Sequence, residues 1–168
     1  PQTGTVLDVG KLATEVVEEA REEWPEATIS ADIETDLPVE TGFEIRDALD
    51  NLLDNAITHN TGDPVVKVTV REYTPIHVTT RSFGQEAVIT IEDNGPGIPP
   101  ARRNELFERT IEDDYSHGLG LLLTATLIEA FDGTIELTET GADGTVFTIE
   151  LPRISDDTGD NGQTTSRE

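Results

Sequence analysis

Residues 41–59 read TGFEIRDALDNLLDNAITH, and their pattern organises the rest of the chain. Ile45, Ala48, Leu49, Leu52, Leu53 and Ala56 recur at i, i+3, i+4 spacing, which gathers them into one buried stripe on an α-helix. Thr41-Gly-Phe-Glu44 has the form of a capping box, in which hydroxyl and carboxylate satisfy free amides of the first turn. Bordering the stripe, Asn51 and Asn55 lie one turn apart, with Thr58 and His59 a further turn on. Asn carbonyls are hard oxygen ligands, and such a strip suits a Mg²⁺ ion that keeps several waters and bridges phosphates. Two asparagines at this spacing more commonly just face water, so the strip acquires meaning only from its neighbours.

Upstream, Leu12, Val16, Val17 and Ala20 fall at helical spacing between a capping Asp8 and the terminating Pro25, and Thr28 to Ile33 alternates as a strand does. Downstream, Val65 to Val70 and Ala87 to Glu92 read as strands joined by a long connection, Tyr73 to Glu86. Pro99-Pro100 introduces a short helix, Ala101 to Arg109. Gly118 to Phe131 is a further helix with Leu119, Leu122, Leu123, Leu127 and Ala130 expected inside and Gly133 as terminator. Thr134 to Thr138 and Thr145 to Leu151 form a hairpin around Gly141 to Gly144. From Ile154 onward Ser, Asp, Thr, Gly and Asn dominate, the composition of a disordered acidic tail; residues 1–153 are the folded domain. Helices and strands that do not alternate strictly imply an α+β arrangement, helices on one face of an antiparallel or mixed sheet.

Composition sets the outer bounds. The 168 residues carry 35 Asp+Glu against 11 Lys+Arg, a formal net charge of −24, and Lys occurs only at Lys11 and Lys67. Such a chain has no clustered cations with which to hold nucleic acid or an anionic membrane. No apolar run reaches bilayer length, and no secretory signal is present. The absence of Cys excludes disulfide frameworks and thiolate metal sites and suits a reducing cytoplasm. Acidic residues spread along periodic apolar segments describe a folded anionic surface suited to concentrated salt, where a Debye length of about 3 Å at 1 M lets like charges crowd. The sequence begins at Pro1 and contains no Met, so it reads as a piece of a longer polypeptide.

Three further clusters follow the asparagine strip. Ile91-Glu-Asp93-Asn-Gly95-Pro-Gly97 ends a strand in a carboxylate able to accept from an exocyclic amine, followed by glycines that allow close backbone approach. Leu106-Phe107-Glu108 carries no chemistry alone. His117-Gly118-Leu119-Gly120-Leu121 opens a helix, where free amides and the helix dipole favour phosphate. Each is weak alone; together, in this order, they are specific.

In that order the clusters resemble the catalytic ATP-binding domain of sensor histidine kinases, a superfamily shared with DNA gyrase B, the MutL proteins and the heat-shock chaperone of ninety kilodaltons. Asn51 to His59 is similar to that family's N box, Asp93 to Gly97 to its G1 box, Leu106 to Arg109 to its F box and Gly118 to Leu121 to its G2 box. Gly144-Thr145-Val-Phe147 is similar to its last glycine motif. The resemblance runs from Val9 to Leu151 and implies a two-layer α/β sandwich of the Bergerat type, with helices on a mixed, mostly antiparallel sheet and ATP between the helices and a lid. Carried over, Asn55 is the Mg²⁺ ligand, Asn51 its partner near the phosphates and His59 a phosphate contact. Asp93 accepts from the adenine amino group with support from Thr145, while Gly95 and Gly97 let the backbone wrap the nucleotide. Gly118, Leu119 and Gly120 pin the lid, Phe107 anchors it by apolar packing and Arg109 reaches phosphate.

The hydrolysing members place a Glu where this chain has Asn51, which cannot be a general base, so the resemblance favours phosphoryl transfer to a His over hydrolysis. None of His59, His77 or His117 stands in the family's phosphoacceptor setting. The acceptor therefore belongs to a helical dimerisation domain preceding Pro1, with Thr5 to Asp8 as the join, in a homodimeric parent that feeds a response regulator. Ser116 in place of a further Gly, and the acidic Glu112, Asp113 and Asp114, depart from the pattern. Two other readings stay open: an ATPase clamp of the gyrase or MutL type, and an interaction module that has lost nucleotide binding.

Overall fold

The structure, a computed structural model, describes residues 4–73, 85–107 and 119–154, and the backbone alone at residues 119 and 120. Thr5–Asp8 forms strand β1 and Val9–Glu23 helix α1. Asp8 caps α1, accepting from the amides of Gly10 at 3.0 Å and Lys11 at 3.3 Å. The same carboxylate accepts from Asp36 at 2.9 Å and Leu37 at 3.2 Å, holding a turn in which Asp36 has φ 63°. Burial opposes ionisation of Asp8, but these four amides outweigh it and hold its pKa below the ordinary Asp value. We expect Asp8→Ala to cost about 2 kcal/mol, the upper range for a lost cap. The stabilisation from this depressed pKa is present above the ordinary Asp range and disappears as pH falls through the folded value. Urea melts of wild type and variant should therefore converge on acidification.

The remaining elements are β2 (Thr28–Ile33), β3 (Pro38–Thr41), α2 (Glu44–Thr58), β4 (Val65–Tyr73), β5 (Glu86–Asp93), α3 (Pro100–Arg103), α4 (Leu119–Glu129), β6 (Thr134–Gly141) and β7 (Gly144–Pro152). Five strands form one sheet in the order β2-β4-β5-β7-β6, parallel between β2 and β4 and antiparallel elsewhere, while β1 and β3 pair separately. Val66, Val68 and Val70 of β4, Ala87, Ile89 and Ile91 of β5, and Phe147, Ile149 and Leu151 of β7 are all buried, and so line one face. Against this face pack Val16 and Val17 of α1, Ile45, Leu49, Leu52 and Leu53 of α2, and Leu121 and Ile128 of α4. This is the expected two-layer sandwich.

The structure revises several local expectations. No capping box forms at Thr41-Gly-Phe-Glu44: Thr41 ends β3, paired with Thr5 and fully buried, and Phe43 precedes α2 without a side-chain cap. Helical residues after the two prolines stop at Arg103 and turns follow to Phe107; Arg102 and Arg103 are exposed, as expected of surface residues. In α4 the inward face is Leu121, Thr124, Ala125 and Ile128, while Leu123 is 59% exposed, Ala130 is exposed, and Leu122 and Leu127 are half-buried. A helix start this rich in Leu has no polar face to fix its rotation, so periodicity could not choose. The left-handed residue that closes α4 is Asp132 at φ 63°; Gly133 is needed because a Cβ there would lie 2.7 Å from Leu151. Ile154 donates its amide to Pro38 at 2.9 Å, and the rest of the expected tail, residues 155–168, lies outside the described residues.

Candidate functional site

The apolar face of the sheet changes character at one end. Along β5, Ala87, Ile89 and Ile91 lead by strict alternation to Asp93, and along β7, Leu151, Ile149 and Phe147 lead to Thr145. Asp93 and Thr145 are direct partners across the β5–β7 ladder, so carboxylate and hydroxyl emerge side by side where the hydrophobic rows end. Thr145 is 5% exposed, and its hydroxyl lies 3.0 Å from that of Thr140 on β6.

Asp93 is raised above the ordinary Asp value, chiefly by burial. The amides of Gly95 and Thr145, which donate to it, and the nearby His59 favour the ionised form but do not overcome desolvation. The Gly95 bond is 2.8 Å. A half-buried carboxylate whose charge is only partly compensated attracts a donor from a ligand.

The loop after Asp93 is pressed against the β6–β7 turn. Gly97 has φ 85°, and a Cβ there would stand 2.3 Å from the Gly141 oxygen; Gly144 has φ 135°, and its Cβ would stand 1.8 Å from the Asp93 oxygen. Neither position admits a side chain. Asn94 fastens the other side of the loop, accepting from the Val65 amide at 2.9 Å and donating to the Asp63 oxygen at 3.1 Å, and it also bonds Asn60.

On α2, Asn51 and Asn55 are half-buried and His59 is exposed at the C-cap. The Asn51 amide donates to Thr124 of α4 at 3.0 Å, a buried hydroxyl that ties the two helices together. Asp50 and Asp54 face elsewhere: Asp50 lies 4.0 Å from Arg46, and Asp54 accepts from the Trp24 indole at 3.4 Å. Neither carboxylate belongs to the asparagine strip. Phe107 is half-buried and meets Phe147 edge-on, with ring centroids 6.3 Å apart.

Residues 40–155 match the model of the histidine kinase-, DNA gyrase B- and HSP90-like ATPase family. The chain belongs to that family. Among curated relatives, the probable sensor histidine kinase TcrY of Mycobacterium tuberculosis is 32% identical over 87% of this chain and 30% of its own length. The adaptive-response sensory kinase SasA of Synechocystis is 34% identical over 89% of this chain and 39% of its own. The chain thus spans about a third of the length of these relatives. The solved ATP-binding domain of PrrB from Mycobacterium tuberculosis superposes with a TM-score of 0.69 at 26% identity, covering 92% of this chain and 100% of that one.

Membership in this ATPase family puts the geometry in context. Asp93, Gly95, Gly97 and Thr145 converge at one end of the sheet, while Asn51, Asn55 and His59 share α2. Leu119 and Gly120 stand in the first turn of α4. Arg109 and Gly118 lie outside the described residues, as do Ser116, His117, His77 and the acidic run Glu112 to Asp114. Sequence reading did not single out Asn94, Thr124 or Thr140. An Asn inside a glycine loop is a known signal, because its side chain bonds nearby backbone. Nothing local marks Thr124, whose partner Asn51 is 73 residues away, or Thr140, which joins Ile98 to Thr145 across the β6–β7 hairpin. No group of three or more His, Asp or Glu able to hold a metal occurs among the described residues. A Mg²⁺ held through Asn55 would therefore complete its shell with water and nucleotide phosphates, and a neutral amide oxygen suits that role.

Proposed function

We propose that this chain is the catalytic and ATP-binding domain of a two-component sensor histidine kinase. It binds Mg-ATP and transfers the γ-phosphoryl group to a His on a helical dimerisation domain of the parent protein. That parent works in the cytoplasm as a homodimer and passes the phosphoryl group to a response regulator. The observation that carries this reading is the Asp93–Thr145 pair at the polar end of the sheet, facing the helix layer that bears Asn55, in a chain of this family.

Asp93 accepts from the adenine amine, Thr145 assists, and Gly95 and Gly97 allow the backbone against the base. Asn55 holds Mg²⁺, with Asn51 and His59 toward the phosphates; Gly118, Leu119, Gly120 and Arg109 serve the lid, and Phe107 anchors it on Phe147. Bound Mg²⁺ supplies charge neutralisation of the phosphates. In the transfer, the bond from the γ-phosphorus to the β–γ bridging oxygen breaks, a bond to an acceptor imidazole nitrogen forms, and ADP leaves. The domain contributes positioning, with no base of its own. Two facts disfavour hydrolysis: position 51 is an amide engaged by Thr124, and Asp50 and Asp54 are turned toward Arg46 and Trp24.

The test is titration calorimetry of ATP with and without Mg²⁺, followed by phosphoryl transfer to the parent's helical domain. Mg²⁺ should strengthen ATP binding, and Asn55→Ala should remove that gain, weakening Mg-ATP by at least about tenfold. The isolated chain should release no phosphate at steady state. Sustained hydrolysis would instead establish an ATPase clamp.

A further inference from the structure

We propose that Thr124 is a positioning residue for the Mg-ATP site: its bond to Asn51 holds that amide in place for the phosphates. The inference rests on the reading of Asn51 and Asn55 as the phosphate and metal strip. Four residues of α4 face inward, Leu121, Thr124, Ala125 and Ile128, and Thr124 is the polar one, 1% exposed. A hydroxyl taken this far from water destabilises the fold unless it is bonded. Its partner is the Asn51 amide, 3.0 Å away and 73 residues earlier in the chain. What the hydroxyl adds over an apolar side chain of the same size is its hold on Asn51.

A side-chain amide is one rigid plane carrying both oxygen and nitrogen, so holding either end fixes the direction of the other. Thr124 takes the end that faces α4. The other end makes no hydrogen bond among the described residues and is not a buried orphan. It is open to a ligand on the half-buried strip that Asn51 shares with Asn55, one turn along α2. Without the Thr124 bond, Asn51 would sample several rotamers, and a nucleotide would first have to immobilise it. The bond also lies one turn after Gly120, so it ties to α2 the helix whose first turn the proposed function gives to the lid.

The test uses the whole chain, at a salt concentration where circular dichroism shows it folded, in calorimetric titrations with Mg-ATP. Wild type is compared with Thr124→Val, Thr124→Ser, Asn51→Ala and the double variant that combines Asn51→Ala with Thr124→Val. Thr124→Val should weaken Mg-ATP about three- to tenfold, the effect of one neutral hydrogen bond, and Thr124→Ser should bind as wild type does. Asn51→Ala should weaken binding at least as much, and adding Thr124→Val to it should cost nothing further, because Thr124 acts through Asn51. A residue that only packs α4 on α2 would give losses that add. Additive losses, or wild-type affinity in a folded Thr124→Val, overturn the proposal and leave the functional reading standing. If thermal melts show the Val variant unfolded, Thr124→Ala takes its place with the same expectations; if neither folds, Thr124 is a structural residue and the proposal fails. A folded wild-type chain that does not bind Mg-ATP overturns the functional reading and this proposal with it.

Discussion

Asp93→Asn should reduce ATP affinity by about 100-fold or more while leaving the thermal midpoint of the free domain no lower than wild type. Two amides, Gly95 and Thr145, already donate to the Asp93 carboxylate. A carboxylate has acceptor capacity on both oxygens and can serve these amides and a ligand amine together. Asn has one oxygen. If it faces the two backbone amides, its NH₂ confronts the adenine NH₂; if it turns toward the ligand, its NH₂ confronts backbone donors. Either arrangement leaves donor against donor, on top of the loss of a charge-assisted bond.

Stability moves the other way. Because burial raises Asp93, the free fold favours its protonated form, and the ionised form subtracts stability at pH values above the folded pKa. A neutral Asn removes that penalty. ATP affinity of the wild type should also decline on acidification, beginning above the ordinary Asp range, and the variant should lack this limb. Calorimetric titrations across pH with parallel thermal melts test all three statements. Retained ATP binding by the folded variant would displace Asp93 from the adenine site.

ATP affinity should hold or rise as monovalent salt increases toward molar concentrations, and the fold should lose several kcal/mol of stability when salt is withdrawn to about 10 mM. The net charge is −24, and the nucleotide adds further negative charge. Among the described residues four arginines are engaged by the chain's own carboxylates, while Arg102 and Arg103 are exposed on α3 and Arg103 donates to the Ile98 oxygen at 2.9 Å. Arg21 pairs with Glu18, Arg46 with Glu15, Glu19 and Asp50, Arg71 with Asp32 and Glu34, and Arg153 with Glu72. The pairs of Arg21 and Arg71 have both partners exposed and are individually weak. With so few cations, the proposed function leans on Mg²⁺, backbone amides and ionic screening, and screening reduces repulsion both within the surface and between surface and phosphate. Titrations and urea melts over a salt series provide the check. A steep fall in affinity with the fold intact would reveal cationic contacts to the phosphates.

Sequence periodicity was reliable where one helix or strand face was polar. The stripe of α2 emerged with each expected residue buried, because charged residues occupy its opposite face. The same reasoning failed in α4, where Leu at positions 121, 122 and 123 is apolar in every direction and only packing against α2 and β6 chose Leu121 for the interior. The capping box at Thr41 matched in pattern but not in structure, since pairing with β1 drew Thr41 into a strand.

The sequence by itself determined the family, the two-layer sandwich and the residue types at the candidate site, because glycine spacing, strand-end acidity and helical periodicity are local properties that survive without knowledge of neighbours. Tertiary structure alone decided who stands beside whom. The register of β5 on β7 set Thr145 against Asp93, the bend of the glycine loop onto the β6–β7 turn gave Thr140 its two partners, and the docking of α4 on α2 gave Asn51 its bond to Thr124. Hydrogen bonds of this kind depend on distances between segments remote in the chain. No local pattern encodes them until the backbone closes.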